Sequence, residues 1–191
     1  MNNFAKLPEG KHKLFFTVDD LKKLRDAKIL SKTTAVELIQ GEIFHRLELI
    51  PDEFAKAEKL QKILENSFKD KAIIKVFPSI RLYDIQCVKP SIAVCKPSIK
   101  PAENDFFISE DTFFVIELTD TKFNYADNAR SRYYGMFKYP EVWFVNNDLG
   151  IIEVCTQPNL GYSRCRTYLR HDICQSETEP DLQIKASEVL G

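Results

Sequence analysis

The sequence predicts an α/β or α+β fold in which a β-sheet is flanked by two main helices. Short apolar runs of strand length recur along the chain, and two longer segments carry apolar residues at helical spacing. This mixture of periods is typical of a domain that packs helices on a sheet. The 191 residues, 44% of them hydrophobic and 29% charged, suit a single globular domain that spans positions 1–191.

The charge balance and the start of the chain limit the function classes. The net charge is −1, so any contact with nucleic acid must come from a local patch rather than from the overall field. The opening residues MNNFAKLPEGKHKLFF lack the long apolar stretch of a secretory signal, and no apolar run approaches the length of a membrane span. We therefore expect a cytoplasmic protein without membrane contact.

The cysteines suggest no cofactor. The count is odd and no CxxC pair occurs, and a set of Cys165, His171 and Cys174 fits no common zinc spacing. We expect reduced and mostly buried thiols at all five positions. These are Cys87, Cys95, Cys155, Cys165 and Cys174.

The first half of the chain begins with a helix and a hairpin. The pair Thr17 and Asp20 resembles a capping box and predicts a helix over 17–28. The stretch VELIQGEIF, at 36–44, predicts two short strands around a Gln40-Gly41 turn. Such a hairpin would place four side chains on one face, namely Glu37, Ile39, Glu42 and Phe44. Pro51 then opens a long helix that is predicted to end near Asp70.

The second half of the chain predicts mostly strands. The segment 96–110 is predicted to be a loop, and a second helix is predicted from Asn124 to Lys138. The helix would turn four side chains inward, those of Ala129, Tyr133, Met136 and Phe137. The predicted strands cover 72–77, 79–85, 91–95, 113–118, 142–146, 150–155 and 162–170.

One carboxylate lies where a buried strand is expected. Residues 113–120 read FFVIELTD, so Glu117 interrupts an apolar run near the end of a strand that a helix follows. An unpaired carboxylate there would cost several kcal/mol or become neutral. Glu117 is therefore either part of a functional site or a partner in a buried ion pair, for which Arg130 is a candidate.

The order of the motifs resembles the Uma-type restriction endonuclease family of the PD-(D/E)XK nuclease superfamily. VELIQGEIF resembles its E-L-x-x-G-E hairpin, KPSIAVC its R-P-D-I-x-V strand, and FVIELTDT its V-V-E-V-L-S-P-S strand. DNARSRYYGMFKYPEVWFV resembles its D-x-x-x-K-x-x-x-Y helix and the strand after it, and FTVDDLKKL its opening helix. The resemblance implies a restriction-endonuclease-like α/β fold, with a central mixed sheet flanked by helices, and Mg²⁺-dependent hydrolysis of DNA.

The resemblance also assigns site residues. It implies Glu42 and Glu117 as metal ligands for Mg²⁺, with Mn²⁺ as a substitute, and places Ser91 where the family has aspartate and Arg130 where it has lysine. Ser91 removes an anionic ligand, which Asp84 or Asp105 could replace. Arg130 keeps the positive charge but not the proton chemistry of lysine.

Two functions remain open from these residues. One is an endonuclease with an altered third ligand, and the other is a non-catalytic descendant that binds DNA or a protein partner. The changes at the two positions favour the second, and either function is compatible with a homodimer.

The last long strand adds a candidate DNA contact. In GYSRCRTYLRH, strand alternation places Arg164, Arg166 and Arg170 on one face together with Tyr162 and Tyr168. Guanidinium groups and phenol rings suit a phosphate backbone with stacked bases. The alternative, which we favour, is a solvated edge strand whose arginine side chains cover the tyrosines.

Overall fold

The computed structural model of the protein describes residues 14–31, 35–46, 50–98, 106–119 and 129–191. Its helices are α1 (Val18–Asp26), α2 (Glu53–Phe68), α3 (Ala129–Met136) and α4 (Ala186–Leu190). Its strands are β1 (Val36–Ile39), β2 (Glu42–His45), β3 (Ile73–Val76), β4 (Ser79–Tyr83), β5 (Gln86–Val88), β6 (Ile92–Cys95), β7 (Phe106–Ile108), β8 (Thr112–Thr119), β9 (Glu141–Asn146), β10 (Ile151–Pro158), β11 (Tyr162–Leu169), β12 (Ile173–Gln175) and β13 (Gln183–Lys185).

The strands form two large sheets and one small one. A six-stranded sheet has the order β11-β10-β9-β8-β6-β3, in which only β8 and β9 of the paired neighbours run parallel. A five-stranded sheet has the order β2-β1-β5-β4-β7, and β12 pairs with β13. The α/β fold class with a mixed sheet and flanking helices is confirmed, although the strands divide between two sheets where the sequence suggested one.

Local sequence signals account for the start of the chain. Asp20 N–H donates to the Thr17 hydroxyl at 3.1 Å, and Thr17 N–H donates to the Asp20 carboxylate at 3.1 Å, which confirms the predicted capping box. The hairpin turn has positive φ at both central residues, 52° at Gln40 and 78° at Gly41. This is the type I′ geometry that joins two twisted strands, and it confirms the predicted hairpin.

The six-stranded sheet has a core on each face. One core lies under α2, α4 and β13, and the other lies under α3 and the five-stranded sheet. Along β8, alternation sends Phe114, Ile116 and Leu118 into the first core and Val115 into the second. The same alternation turns Glu117 toward α3, which places its carboxylate between the two sheets.

Several predicted details differ from the structure. Buried residues of α3 are Ser131, Tyr134 and Gly135, one position away from the predicted face, and Met136 is half exposed. The predicted residues 124–128 of this helix lie outside the described part of the chain. The short elements β5, β7, β12, β13 and α4 were not predicted, because three to five residues carry too little periodicity to be recognised.

The sulfur chemistry also differs from the expectation. Cys155 and Cys165 lie directly opposite each other on β10 and β11 and form a disulfide bond, whereas reduced thiols were expected. The other three cysteines are free and buried, as predicted. In the part of the chain that the structure describes, no helix is long and apolar enough to cross a membrane.

Candidate functional site

The site centres on Glu117, whose side chain is 0% exposed. Its Oε1 accepts hydrogen bonds from Arg130 Nη1 at 3.0 Å and from the Tyr134 hydroxyl at 2.7 Å. Its Oε2 is buried and has no hydrogen-bond partner among the described residues. Burial raises the pKa of Glu117 above its ordinary value, and the nearby charges of Arg130 and Arg46 oppose that shift.

Arg130 bridges two carboxylates. Its Nη1 bonds Glu117, its Nη2 donates to Glu37 Oε1 at 2.9 Å, and its side chain is only 14% exposed. Burial by itself lowers the pKa of Arg130, but Glu117 and Glu37 raise it above its ordinary value. The guanidinium therefore stays charged and holds one strand of each large sheet to α3.

Ser91 forms a hydrogen bond with a second buried ion pair, which joins Arg46 and Glu53. Its hydroxyl donates to Glu53 Oε1 at 2.6 Å and accepts from the N–H of Leu118 at 3.1 Å. Arg46 binds the same carboxylate with both terminal nitrogens, at 3.2 and 2.6 Å. Glu53 is the first residue of α2, where the positive end of the helix dipole favours a negative charge.

Lys89 joins the two ion pairs. Its backbone N–H donates to Glu37 Oε1 at 2.7 Å, and its carbonyl oxygen accepts from Arg46 Nε at 2.8 Å. Burial lowers the pKa of its ammonium group, which donates to the Ser79 hydroxyl at 3.2 Å. Three carboxylates and three cations thus lie in one cluster, which we call the ion-pair cluster. Its members are Glu37, Arg46, Glu53, Lys89, Glu117 and Arg130.

A pocket of about 220 Å³ opens beside the ion-pair cluster. It is lined by Glu37, Ile39, Phe44, Val88, Arg130 and Tyr133. Its wall confirms that Glu37, Ile39 and Phe44 share one face of the hairpin, as the sequence predicted. Arg130 reaches the pocket, and Glu117 lies behind it. The pocket is therefore small, and a molecule that enters it would contact the guanidinium of Arg130 rather than the carboxylate of Glu117.

The structure brings together three of the four residues that the family resemblance assigned to the site. Ser91, Glu117 and Arg130 lie at neighbouring ends of β6, β8 and α3. Glu42 lies on the pocket face of the hairpin, opposite Ile39 at the turn end, and is partly exposed. The hairpin glutamate that the structure joins to Arg130 is Glu37.

Sequence reasoning missed four members of the cluster, namely Glu37, Arg46, Glu53 and Lys89. Glu37 carried a signal, because it was predicted on the same hairpin face as Glu42. Glu53 carried a weaker one, since it follows Pro51 at the start of a predicted helix. Asp84, considered as a replacement carboxylate, instead pairs with Arg81 at the surface. Asp105, the other candidate, lies outside the described residues.

The three arginines predicted to contact DNA lie on or just after β11, at an edge of the six-stranded sheet. Arg164 pairs with Glu177 at 3.3 Å, and Arg166 donates to the Tyr168 hydroxyl at 3.3 Å and covers its ring. Arg170 donates to the carbonyl oxygen of the last residue at 2.9 Å. The predicted edge strand and the cover of Tyr168 by an arginine side chain are both confirmed.

The two tyrosines of β11 do not share a face. Tyr168 packs in the core under α2, whereas Tyr162 packs in the core under α3 and donates to the Tyr139 carbonyl oxygen at 2.8 Å. The predicted grouping of Tyr162 with the arginines is wrong. The neighbouring residue Gln157 on β10 has a positive φ of 57°, which interrupts regular alternation at this end of the hairpin.

The cluster does not fit a magnesium ion in this arrangement. Within the described ranges, no group of three or more His, Cys, Asp or Glu side chains is placed to hold a metal ion. Mg²⁺ needs several oxygen ligands in octahedral geometry. Here one oxygen each of Glu37 and Glu117 is hydrogen-bonded to Arg130. Both oxygens of Glu53 are hydrogen-bonded to Arg46.

Comparison with known proteins supports the fold. No protein-family model matches the chain, and no curated protein matches it. Among four matching solved chains is one described as a "putative nuclease belonging to DUF820" from Anabaena variabilis ATCC 29413. The similarity covers 92% of this chain and 97% of that one, with a TM-score of 0.67 and 14% sequence identity. At this identity the match shows a shared nuclease-like fold.

Proposed function

We propose that the protein is a non-catalytic descendant of the Uma-type PD-(D/E)XK nucleases, a single domain that binds DNA. The observation that carries this proposal is the bridge from Arg130 to Glu37 and Glu117. A guanidinium that is always protonated sits between Glu37 and Glu117, and Glu117 is one of the two metal ligands that the family resemblance implies. The nuclease-like fold supports DNA as the ligand, and the hydroxyl of Ser91 supplies no anionic oxygen for an ion.

A second candidate function is endonuclease activity with a displaced ligand. Glu53 favours it, because its Oε1 lies 2.6 Å from the Ser91 hydroxyl and restores a negative charge beside a position where the family has aspartate. Mg²⁺ or Mn²⁺ would then use Glu117 with Glu37, Glu42 or Glu53. Such a site requires both arginines to leave their carboxylates, so we rank this function second.

The arginines at the sheet edge are a separate candidate DNA contact, against the solvated edge strand that we favour. Arg164, Arg166 and Arg170 lie near one another in sequence on an exposed edge, and each phosphate contact contributes about −0.9 to the slope of log affinity against log salt. Replacing all three by alanine should flatten that slope by up to about 3 units. Equal slopes for the wild type and the triple variant would remove these residues from the proposal. Sedimentation with and without DNA would measure whether a homodimer forms.

Supercoil nicking in Mg²⁺ or Mn²⁺ tests the absence of catalysis. We expect wild-type protein to bind plasmid DNA without nicking it. The double variant Ser91→Asp/Arg130→Lys should restore cleavage, and Glu117→Ala should abolish the restored activity. Because Ser91 contacts Glu53, the new carboxylate would face another one, so a triple variant that adds Glu53→Gln is made in parallel.

Two controls decide the outcome. A chelator and the Glu117→Ala background exclude a contaminating nuclease. If wild-type protein nicks DNA and Glu117→Ala stops it, the second candidate function is correct and the proposed loss of catalysis is wrong. If wild-type protein does not bind DNA at any salt concentration, the DNA-binding proposal fails whatever the nicking assay gives.

A further inference from the structure

A pair of aromatic side chains lies next to the ion-pair cluster but takes no part in the hydrogen bonds between its members. The rings of Phe54 and Phe77 stack with 5.6 Å between centroids and 17° between planes. The guanidinium carbon of Arg46 lies 4.7 Å from the centre of the Phe77 ring. Phe54 is 54% exposed, so this stack ends in a ring that is open to solvent. We call Arg46, Phe77 and Phe54 the aromatic platform.

The aromatic platform is tied directly to the candidate site. Phe54 follows Glu53 in α2, and Phe77 N–H donates to the Ser91 carbonyl oxygen at 3.1 Å. Arg46 belongs to both groups, because it holds Glu53 with two nitrogens while its plane lies over Phe77. A ligand that stacks on Phe54 would therefore contact the residue that follows a cluster carboxylate in α2.

The backbone at the aromatic platform is strained. Phe77 has φ of 47°, and Asp52, two residues before Phe54, has φ of 55°. Aspartate tolerates this left-handed region, but a bulky aromatic residue there is unusual. Strained residues persist where the surrounding structure fixes them, and they cluster at ligand sites. Here the strained conformation at Phe77 accompanies a ring that faces both Arg46 and Phe54.

The chemistry of the platform selects a class of ligand. An exposed phenylalanine offers a flat apolar face with no hydrogen-bonding group, which suits stacking with any base and specifies none. Arg46 lies against Phe77 while it is paired with Glu53, so it fixes the position of that ring. In a duplex the base faces are covered by their neighbours, so this surface suits unpaired bases.

We propose that the aromatic platform binds an unpaired base of a single-stranded nucleic acid next to the ion-pair cluster. This inference rests on the proposed nucleic-acid function and narrows its ligand from DNA in general to single strands or unpaired segments. The base stacks on Phe54, and Phe77 supports that ring from below.

The test separates base stacking from phosphate binding. Fluorescence anisotropy measures the affinity for oligothymidine of about 16 nucleotides, for an abasic strand of equal length and charge, and for a duplex. Wild-type protein should prefer oligothymidine to the abasic strand by about 5- to 100-fold. Phe54→Ala should lose most of that preference, and Phe54→Trp should keep it.

The chain offers a matched control. Tyr83 is 61% exposed and stacks on Phe137 with 6.0 Å between centroids, so it is a second exposed stacked ring away from the ion-pair cluster. Tyr83→Ala should leave the preference for oligothymidine unchanged. Thermal unfolding of both alanine variants checks that each ring was removed without loss of the fold.

The outcomes distinguish this inference from the function on which it rests. If Phe54→Ala keeps the wild-type preference for bases, or if duplex binds as tightly as oligothymidine and Phe54→Ala weakens neither, the platform assignment is wrong while DNA binding stands. If wild-type protein binds none of the three probes, the proposed DNA binding fails and this inference fails with it. A loss of preference in Phe54→Ala alone supports the assignment.

Discussion

Replacing Arg130 by methionine should destabilise the protein strongly, because two carboxylates lose one partner at once. Glu117 is completely buried and, among the described residues, would keep the hydrogen bond from the Tyr134 hydroxyl, while Glu37 would keep the one from the backbone N–H of Lys89. Removing one member of a buried ion pair typically costs about 3–5 kcal/mol. We expect Arg130→Met to lower the free energy of unfolding by that amount near neutral pH.

The loss should depend on pH in a defined direction. Burial already raises the pKa of Glu117, and without Arg130 that pKa should rise further. A carboxyl group whose folded pKa lies above its unfolded value binds protons more readily in the native state, so stability decreases as pH rises between the two values. The difference between wild type and Arg130→Met should therefore shrink as the pH falls and Glu117 becomes protonated in the folded variant.

Equilibrium unfolding in urea measures both effects. Trp143, the single tryptophan, is completely buried and reports unfolding by fluorescence. Glu117→Gln should cost only about 1–2 kcal/mol, because Arg130 keeps Glu37 and Tyr134 can still donate. The double variant Arg130→Met/Glu117→Gln should recover much of the loss, since it leaves no buried charge at 117.

A surface arginine provides the matched control. Arg81 also bridges two carboxylates, Asp19 at 3.1 Å and Asp84 at 2.6 Å, but it lies at the surface and both partners are exposed. Arg81→Met should cost about 0–1 kcal/mol. If Arg130→Met costs no more than Arg81→Met, or if the double variant is no more stable than Arg130→Met, then the ion-pair cluster does not hold the two sheets and α3 together as argued.

Three further changes test the rest of the fold. Glu141→Gln should cost about 1–3 kcal/mol in urea unfolding, because the buried carboxylate accepts four hydrogen bonds and an amide group would oppose some of the donors. Gly135→Ala should lower the melting temperature by an amount equivalent to about 2–3 kcal/mol, since the new carbon would lie 2.0 Å from the Gly161 oxygen. Reductant should lower the stability of wild-type protein by about 2–3 kcal/mol, through the Cys155–Cys165 loop, and leave Cys165→Ser unchanged.

The fold was predictable where the sequence carries long or strongly marked patterns. The capping box at Thr17, the turn at Gly41 and the apolar run around Glu117 each require particular residues, so their elements were recognised. The division of the strands into two sheets was not, because pairing partners depend on contacts between distant segments. The α3 face was misassigned by one position, since Tyr133 and Tyr134 are both aromatic and periodicity alone does not choose between them.

The candidate site was predictable only in part, for a physical reason. Glu117 stands out because a carboxylate in an apolar run needs a partner, and the structure supplies Arg130, the ion pair considered from sequence. Glu53 and Arg46 do not stand out, because a glutamate at a helix start and an arginine after a strand are ordinary surface residues in most sequences. Only the approach of α2 to the start of β6 buries them together.

Ser91 and Arg130, the two positions that differ from the pattern of the family that the sequence resembles, fit one charge balance. Ser91, just before β6, has no carboxylate of its own, but Glu53 places one within hydrogen-bond distance of its hydroxyl and Arg46 neutralises that carboxylate with a bidentate contact. A lysine in place of Arg130 would offer a compact charge, whereas the planar guanidinium reaches two carboxylates with separate nitrogens. Glu37, Glu53 and Glu117 are thus each paired with an arginine. A metal would have to replace two buried, charge-assisted pairs, and this cost is the physical basis for proposing that binding, rather than hydrolysis, is what the fold retains.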